Sequence, residues 1–138
     1  MPNALRTETP DADWRSFKFT VEDSAGVIGI KDARRTGVSY LYLINDTVGA
    51  VLGSADIDEE AVLFYHAEKI DVPKMTESTD IFLPGMRVYW DPTTRLVTPD
   101  YNSGYFWIGI ATEPADADEL YVEIDLKGDH AEIETVLP

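Results

Sequence analysis

The sequence predicts an all-β fold, a small β-barrel or β-sandwich with an extended amino-terminal arm. Several segments alternate apolar and polar residues with the two-residue period of a half-buried strand. No stretch keeps the i, i+3, i+4, i+7 spacing of an amphipathic helix over several turns. Eight prolines and nine glycines among 138 residues supply the turns of a strand-rich chain. A chain of this length is expected to form one domain.

Residues 1–24 are predicted to form the arm and a first strand. Residues 1–13 mix prolines, threonines and acidic residues, a composition that buries little apolar surface. Phe17, Phe19 and Val21 then alternate with polar residues, and Trp14 stands just before them. We expect this strand to pair with another chain.

The β domain is predicted to cover residues 25–128. The densest basic cluster, Lys31–Gly37, contains Arg34 and Arg35 and is predicted as a turn. A solvated loop tip and a docking contact with an acidic partner are both compatible with it. Asn45-Asp46 supplies a hairpin turn signal. The predicted strands of this half are Val27–Ile30, Val38–Ile44, Thr47–Leu52 and Leu63–His66.

The second half continues the pattern of strands and turns. Gly85–Asp91 and Arg95–Thr98 are predicted as strands around a turn, because Pro92 fixes the φ angle that a β-turn needs at its second position. In the last strand, Leu120, Val122, Ile124 and Leu126 are expected to share the buried face. Residues 129–138 form a tail that alternates and is compatible with an edge strand.

Two segments, Leu63–His66 and Tyr105–Ile108, lack polar alternation. A strand that is apolar on both faces lies either centrally in a barrel or sandwich, or against another subunit. We expect one face of these strands to form a subunit interface.

Charge and composition exclude several classes of function. The net charge of −15 repels a phosphate backbone, so nucleic acid is not an expected partner. No phosphate-binding loop of the Gly-x-x-x-x-Gly-Lys-Ser/Thr type is present. The chain has no cysteine, and no window approaches the roughly 20 apolar residues of a membrane span. We therefore expect no membrane partner, and synthesis in the cytoplasm.

The sequence gives no support for catalysis or for a cofactor. The two histidines, His66 and His130, and the serines lack the context of a catalytic triad. The acidic runs at residues 56–60 and 116–119 lack the spacing of an EF-hand loop, which leaves solvated turns as the expectation and a calcium site as the alternative. We expect no catalytic, cofactor-binding or metal-binding residues.

Four elements in order carry a resemblance to a known family. They are Val48–Val51 with Glu59-Glu60 downstream, Ile70–Lys74, Gly85–Asp91, and Ile108–Ala111 ahead of Val122–Leu126. Over about residues 38–128 this pattern resembles the phage head-decoration, or cement, proteins, a family that has been filed as a domain of unknown function and sometimes mislabelled as a phage recombinase. The resemblance implies a non-enzymatic, β-tulip-like virion protein.

The resemblance also implies partners and a location. These are the major capsid protein and two further copies of the chain in a homotrimer, on the outer surface of an icosahedral head. The capsid-binding candidates are Trp14, Phe17, Phe19, Val21, Arg34 and Arg35. The trimer-interface candidates are Tyr40, Tyr42, Tyr105 and Trp107. The alternative is a head-fibre or spike base, or a lectin-like module that binds host-surface glycans through its aromatic residues.

Overall fold

The computed structural model describes residues 14–130 of the chain. Within this range the protein forms eight β-strands, one α-helix and a three-residue 3-10 helix. The expectations for residues 1–13 and 131–138 lie outside the described residues. The strands are β1 (Arg15–Thr20), β2 (Leu41–Ile44), β3 (Thr47–Val51), β4 (Glu60–Pro73), β5 (Arg87–Asp91), β6 (Leu96–Thr98), β7 (Phe106–Ala111) and β8 (Tyr121–Lys127); α1 is Ile30–Thr36, and the 3-10 helix is Gly128–His130.

Five strands form a nearly closed barrel. Strands β4, β8, β7, β5 and β6 are hydrogen-bonded neighbours in that order, and each pair is antiparallel. The circle is completed just after β4, where Lys74 forms a parallel bridge to Val97 of β6. There the Met75 N–H donates to the Val97 carbonyl at 2.8 Å. The prediction of an all-β barrel is confirmed.

The long strand β4 belongs to two layers. Its residues 66–73 pair with β8 of the barrel, whereas residues 60–66 pair with β1 and β3. The β4–β8 register shifts between Ala67 and Ile70, where Lys69 has a φ of 55°. Such a bulge bends a strand. The first half of β4 together with β1, β3 and β2 therefore forms a second layer, termed the side sheet.

Each layer has its own apolar cluster. The larger cluster fills the barrel, and Trp90, Tyr40 and Phe82 are its largest fully buried side chains. The smaller cluster lies on the side sheet and contains Val21, Leu63 and Tyr42. Burial of one such side chain contributes roughly 1.5–3 kcal/mol. Packing therefore stabilises a chain that has no disulfide to do so.

The predicted basic turn is a helix. Ile30 and Ala33 are buried one helical turn apart and anchor α1 to the barrel cluster. Gly37 ends the helix in the left-handed conformation (φ 78°) and donates its N–H to the Ala33 carbonyl. The predictions of a turn at Lys31–Gly37 and of a strand at Val27–Ile30 were wrong, because a seven-residue helix is too short to show its period in the sequence.

Both predicted turn signals are confirmed. Asn45, with a φ of 55°, and Asp46 connect β2 to β3 as a two-residue hairpin loop. Asp91 begins the β5–β6 turn: its side chain accepts a hydrogen bond from the Thr93 N–H at 2.8 Å, and its carbonyl accepts one from the Arg95 N–H at 2.7 Å. These short polar contacts fix the register of the β5–β6 hairpin.

Several strand boundaries differ from the prediction. Leu120 lies outside β8 with 63% of its surface exposed, so it does not share the buried face of Val122, Ile124 and Leu126. Its carbonyl instead accepts the Lys74 N–H at 3.0 Å. Likewise, the strand predicted from Val38 begins only at Leu41. Apolar alternation alone does not show whether a residue next to a loop belongs to the strand or to the loop.

The two strands that are apolar on both faces have different surroundings. In β4, Leu63 belongs to the side-sheet cluster and Phe64 packs on the barrel cluster, with its ring 5.7 Å from that of Trp14. This part of β4 is thus covered on both faces by its own chain. In β7, Ile108 is fully buried in the barrel, but Trp107 is only half-buried on the outer side.

Candidate functional site

The outer faces of β5, β7 and β8 carry an exposed apolar patch around Trp107, termed the Trp107 surface. A concavity of about 440 Å³ is lined there by Trp107, Gly109, Ile110, Asp125 and Lys127. Strand alternation turns Ile108 inward and Trp107 outward. The β5–β7 register then shifts between Trp107 and Gly109, and this bulge places Ile110, which is 40% exposed, on the outer face as well. An exposed aromatic and an exposed aliphatic side chain with charges at the rim are typical of a protein interface.

Two contacts hold the Trp107 ring in place. The Arg87 guanidinium lies 4.5 Å from the ring centroid, a cation–π contact. The indole N–H donates to the Gly109 carbonyl at 2.9 Å. A Cβ atom at Gly109 would lie 2.0 Å from the Asp125 carbonyl oxygen, so only glycine allows β7 and β8 to approach this closely. The ring is therefore presented in a fixed orientation.

A second surface is a groove of about 520 Å³ between β1 and β2, termed the β1–β2 groove. One wall is formed by residues 19–23 and the other by residues 42–45, with Val27 between them. Glu22 and Asp23 lie on one wall, and no basic residue is among the described residues that line the groove. Each wall consists of consecutive residues, which is the arrangement expected when a backbone edge borders a groove.

The helix α1 presents the predicted basic residues at the surface. Arg34 donates a hydrogen bond to the Asp71 carboxylate at 2.9 Å, and Arg35 donates one to Asp32 at 2.6 Å. Both arginines are exposed, and both contact carboxylates of the same chain. Such exposed pairs contribute only about 0.2–1 kcal/mol, so an acidic group on a partner could replace the internal carboxylate.

The structure places the four aromatic trimer-interface candidates differently. Tyr40 has no exposed surface, and burial raises the pKa of its hydroxyl. Tyr42 is also buried; its hydroxyl accepts the Ile28 N–H at 2.9 Å. These two residues are core residues and leave almost no area for a second subunit. Tyr105 and Trp107 are half-buried and stay in the interface proposal.

The four candidates on the arm strand are also divided. Trp14 and Val21 are buried within their own chain, because β1 pairs with β4 rather than leaving the domain. Phe17 and Phe19 pack against the side-sheet cluster but keep some exposure. One edge of β1 is therefore occupied by β4, and the expected pairing with another chain would use its second edge.

Lys74 is a residue whose role was not inferred from the sequence, although it lies within the Ile70–Lys74 element. It is only 2% exposed, and its ammonium donates to four carbonyls of the connections that close one end of the barrel. Burial lowers the pKa of this amine. The signal that could have identified it is a lysine directly after the apolar residues Ile70 and Val72, because a lysine is buried only when its ammonium is paired. The acceptors are Met75 at 2.8 Å, Asp116 at 3.0 Å, and Ala117 and Glu119 at 3.1 Å.

The acidic runs form similar turns. The Glu59 carboxylate accepts the Asp56 N–H at 2.8 Å, and the Glu119 carboxylate accepts the Asp116 N–H at the same distance. Among residues 14–130, no three side chains of metal-binding type are grouped so as to hold an ion. No described helix has the length and apolar character to span a membrane.

Comparison with known proteins gives one match. A family model described as phage cement protein matches residues 20–126, well over half of the chain and nearly all of the described fold. No curated protein and no solved structure matches the chain.

Proposed function

The chain belongs to the phage cement protein family, and from this premise we propose that it decorates the outer surface of an icosahedral phage head by binding the lattice of the major capsid protein. Its role in the phage is structural and associated with the capsid. The family match over residues 20–126 carries the proposal, since it covers the barrel and the side-sheet strands β2, β3 and β4.

The proposed effect on the head follows from linkage. A protein that binds only the expanded lattice stabilises that lattice by mass action, without any chemical step. If three copies associate, their three linked footprints bind the lattice with greater avidity than one. A homotrimer that bridges neighbouring capsid subunits would therefore resist the outward pressure of packaged DNA.

The Trp107 surface is the proposed contact between copies. It joins an exposed aromatic and an exposed aliphatic residue to the charged residues Arg87, Asp125 and Lys127. Opposite charges at the rim allow two copies to meet despite the net charge of −15. Tyr105, one residue before β7, is the second aromatic candidate retained there.

The proposed capsid-facing side carries helix α1 and the free edge of β1. Three of the 11 basic residues of the chain lie on α1, and they are Lys31, Arg34 and Arg35. Local positive charge favours docking of this otherwise acidic protein on an acidic capsid patch. Phe17 and Phe19 of β1 add partly exposed apolar area.

The test is the solution mass of the full chain, followed by sedimentation with expanded heads of the encoding phage. We expect a mass three times that of one chain and saturable co-sedimentation with heads. A chain that remains in the supernatant at every head concentration would contradict the function. A monomer that still decorates heads would contradict only the trimer.

One feature favours a second candidate, the binding of host-surface glycans. The half-buried Trp107 ring lies in a concavity beside Asp125 and Lys127, and an aromatic ring beside polar groups is a common arrangement for stacking a sugar. Binding of the full chain to a glycan array, lost in Trp107→Ala, would support this candidate over head decoration.

A further inference from the structure

The β1–β2 groove lies between two strand edges that have free hydrogen-bonding groups. Among the described residues, β1 pairs only with β4, and β2 pairs only with β3. An edge strand with free N–H and C=O groups is a template for another strand. The hydrogen-bond pattern identifies which groups are free.

On β1 the free groups belong to Lys18 and Thr20. The Val21 N–H donates to the Glu59 carbonyl at 2.8 Å, so Val21 and Glu59 form a hydrogen-bonded pair of the β1–β4 ladder. In an antiparallel ladder such pairs alternate, so Phe19 also bonds inward to β4, while the N–H and C=O of Thr20 point away from it.

On β2 the same reasoning identifies Leu43. The Val51 N–H donates to the Tyr40 carbonyl at 3.3 Å, and by alternation Tyr42 and Ile44 bond to β3 as well. The N–H and C=O of Leu43 therefore point away from β3. Residues Thr20 and Leu43 line opposite walls of the groove.

We propose that the β1–β2 groove receives an extended segment of the major capsid protein, which adds as a strand between the free edges of β1 and β2. This inference rests on the proposed function. A wall of four residues, 42–45, spans about 13 Å of extended chain. Hydrogen bonds to the two edges supply affinity, and the partly exposed Phe19 and Ile44 contact alternate side chains of the segment.

Charge selects this occupant over the termini of the same chain. The lining contains Glu22 and Asp23 and no basic residue among those described. Residues 1–13 and 131–138 each contain more acidic than basic residues, so like charges oppose their entry. The complementary segment has apolar residues at alternate positions and at least one lysine or arginine between them.

The first experiment follows amide exchange of the full chain, alone and bound to expanded heads. We expect the Thr20 and Leu43 amides to exchange about tenfold more slowly, or slower still, on the heads. The Phe19 and Tyr42 amides serve as internal controls, because their ladder bonds exist in both states. A bound chain whose Thr20 and Leu43 amides exchange at the free rate would overturn the inference but not the function.

The second experiment compares Leu43→Pro with Leu43→Ala in binding to heads. Proline removes the N–H that faces the groove and spares the β2–β3 bonds, whereas alanine removes only the side chain. We expect Leu43→Pro to bind heads about tenfold more weakly than Leu43→Ala. Equal binding by both folded variants would contradict strand addition.

Two outcomes separate the remaining explanations. Protection of Leu43 that increases with protein concentration and needs no heads would place a second copy of the chain in the groove and overturn the inference. If Leu43→Pro fails to fold, Thr20→Pro tests the opposite wall, and the exchange experiment on the unmodified chain decides independently of both variants. Failure to bind heads at all would instead contradict the proposed function.

Discussion

At the scale of single residues, Lys74 shows how a charged side chain stabilises a barrel end. Its ammonium has three hydrogens for four carbonyl acceptors, so at least one hydrogen is shared. Three of these carbonyls belong to the β7–β8 connection, and the fourth follows β4. One side chain thus ties together two connections that are about 40 residues apart in sequence.

Replacement of Lys74 by methionine should therefore be destabilising. The methionine side chain is of similar length but leaves the four carbonyls without their donor. We expect this to lower the free energy of unfolding by about 3 kcal/mol. Urea unfolding measures the loss. Lys69→Met, at an exposed position, makes the same change in charge and is expected to cost less than 0.5 kcal/mol. Equal losses in both variants would contradict the role of Lys74.

The pH dependence of the Lys74→Met effect has a definite sign. Burial lowers the folded-state pKa of Lys74 below its ordinary value of 10.5, so between these two values the unfolded chain binds more protons. Stability that depends on Lys74 should thus rise with pH within that window. The difference in unfolding free energy between the unmodified chain and Lys74→Met is expected to be larger near pH 10 than at pH 7. A difference in unfolding free energy that decreases as the pH rises would contradict this prediction.

Trp107 is the residue on which the proposed self-association depends. Trp107→Glu places a charge in the Trp107 surface, where burial against another copy would be costly. We expect monomers at concentrations where the unmodified chain forms trimers, measured by light scattering after size exclusion. Ile57→Glu, on an exposed loop, is the control and should remain trimeric. If Trp107→Glu still forms trimers, the contact between copies does not lie on the Trp107 surface.

At the scale of secondary-structure elements, β1 is part of the domain. The buried Trp14 and Val21 flank it on either side, and it covers Leu63 and Ala61 of β4. The same strand keeps one edge free, so it stabilises the fold and still offers an edge for the proposed partner. An arm that hung free of the domain would serve only the second purpose.

Truncation can separate the contributions of the arm and of β1. Removal of residues 1–23 deletes two buried side chains and exposes their partners, which should lower the unfolding free energy by about 4 kcal/mol or more. Removal of residues 1–13 retains β1 and serves as the control, with an expected change of less than 1 kcal/mol. The midpoint of urea unfolding reports both. Equal midpoints for the two truncations would contradict the structural role of β1.

At the scale of the whole molecule, the protein combines a barrel with a strongly acidic surface. A net charge of −15 opposes non-specific association between copies and disfavours nucleic acid. The proposed binding then depends on local features, namely the Trp107 surface, helix α1 and the β1–β2 groove. The barrel carries the Trp107 surface and anchors α1, whereas β1 and β2 of the side sheet line the groove.

Decoration should raise the stability of the head. If the protein binds only the expanded lattice, a concentration of one hundred times the Kd stabilises each occupied site by about 2.7 kcal/mol. The temperature at which heads release a DNA-binding dye should therefore rise with added protein and reach a plateau at saturation. If expanded heads bind the protein but this temperature does not rise, the protein decorates the head without stabilising it.

The sequence by itself determined the fold class, two of the hairpin turns and the family, because these depend on local features. Period-two alternation, Asn45-Asp46 and Asp91-Pro92 act over a few residues, and each was confirmed. The matched residues 20–126 include the elements from Val48 to Leu126 that carried the resemblance. Such signals need no knowledge of what lies across the sheet.

Only the tertiary structure decided which apolar residues are exposed. Tyr40 and Trp107 are both aromatic residues in strand-like segments, yet one is wholly buried and the other lies on the outer face of the barrel. The bulge at Lys69, the short helix α1 and the carbonyl cluster around Lys74 arise from contacts between residues distant in sequence. Burial depends on which strands become neighbours, and that is fixed by long-range pairing rather than by the local pattern.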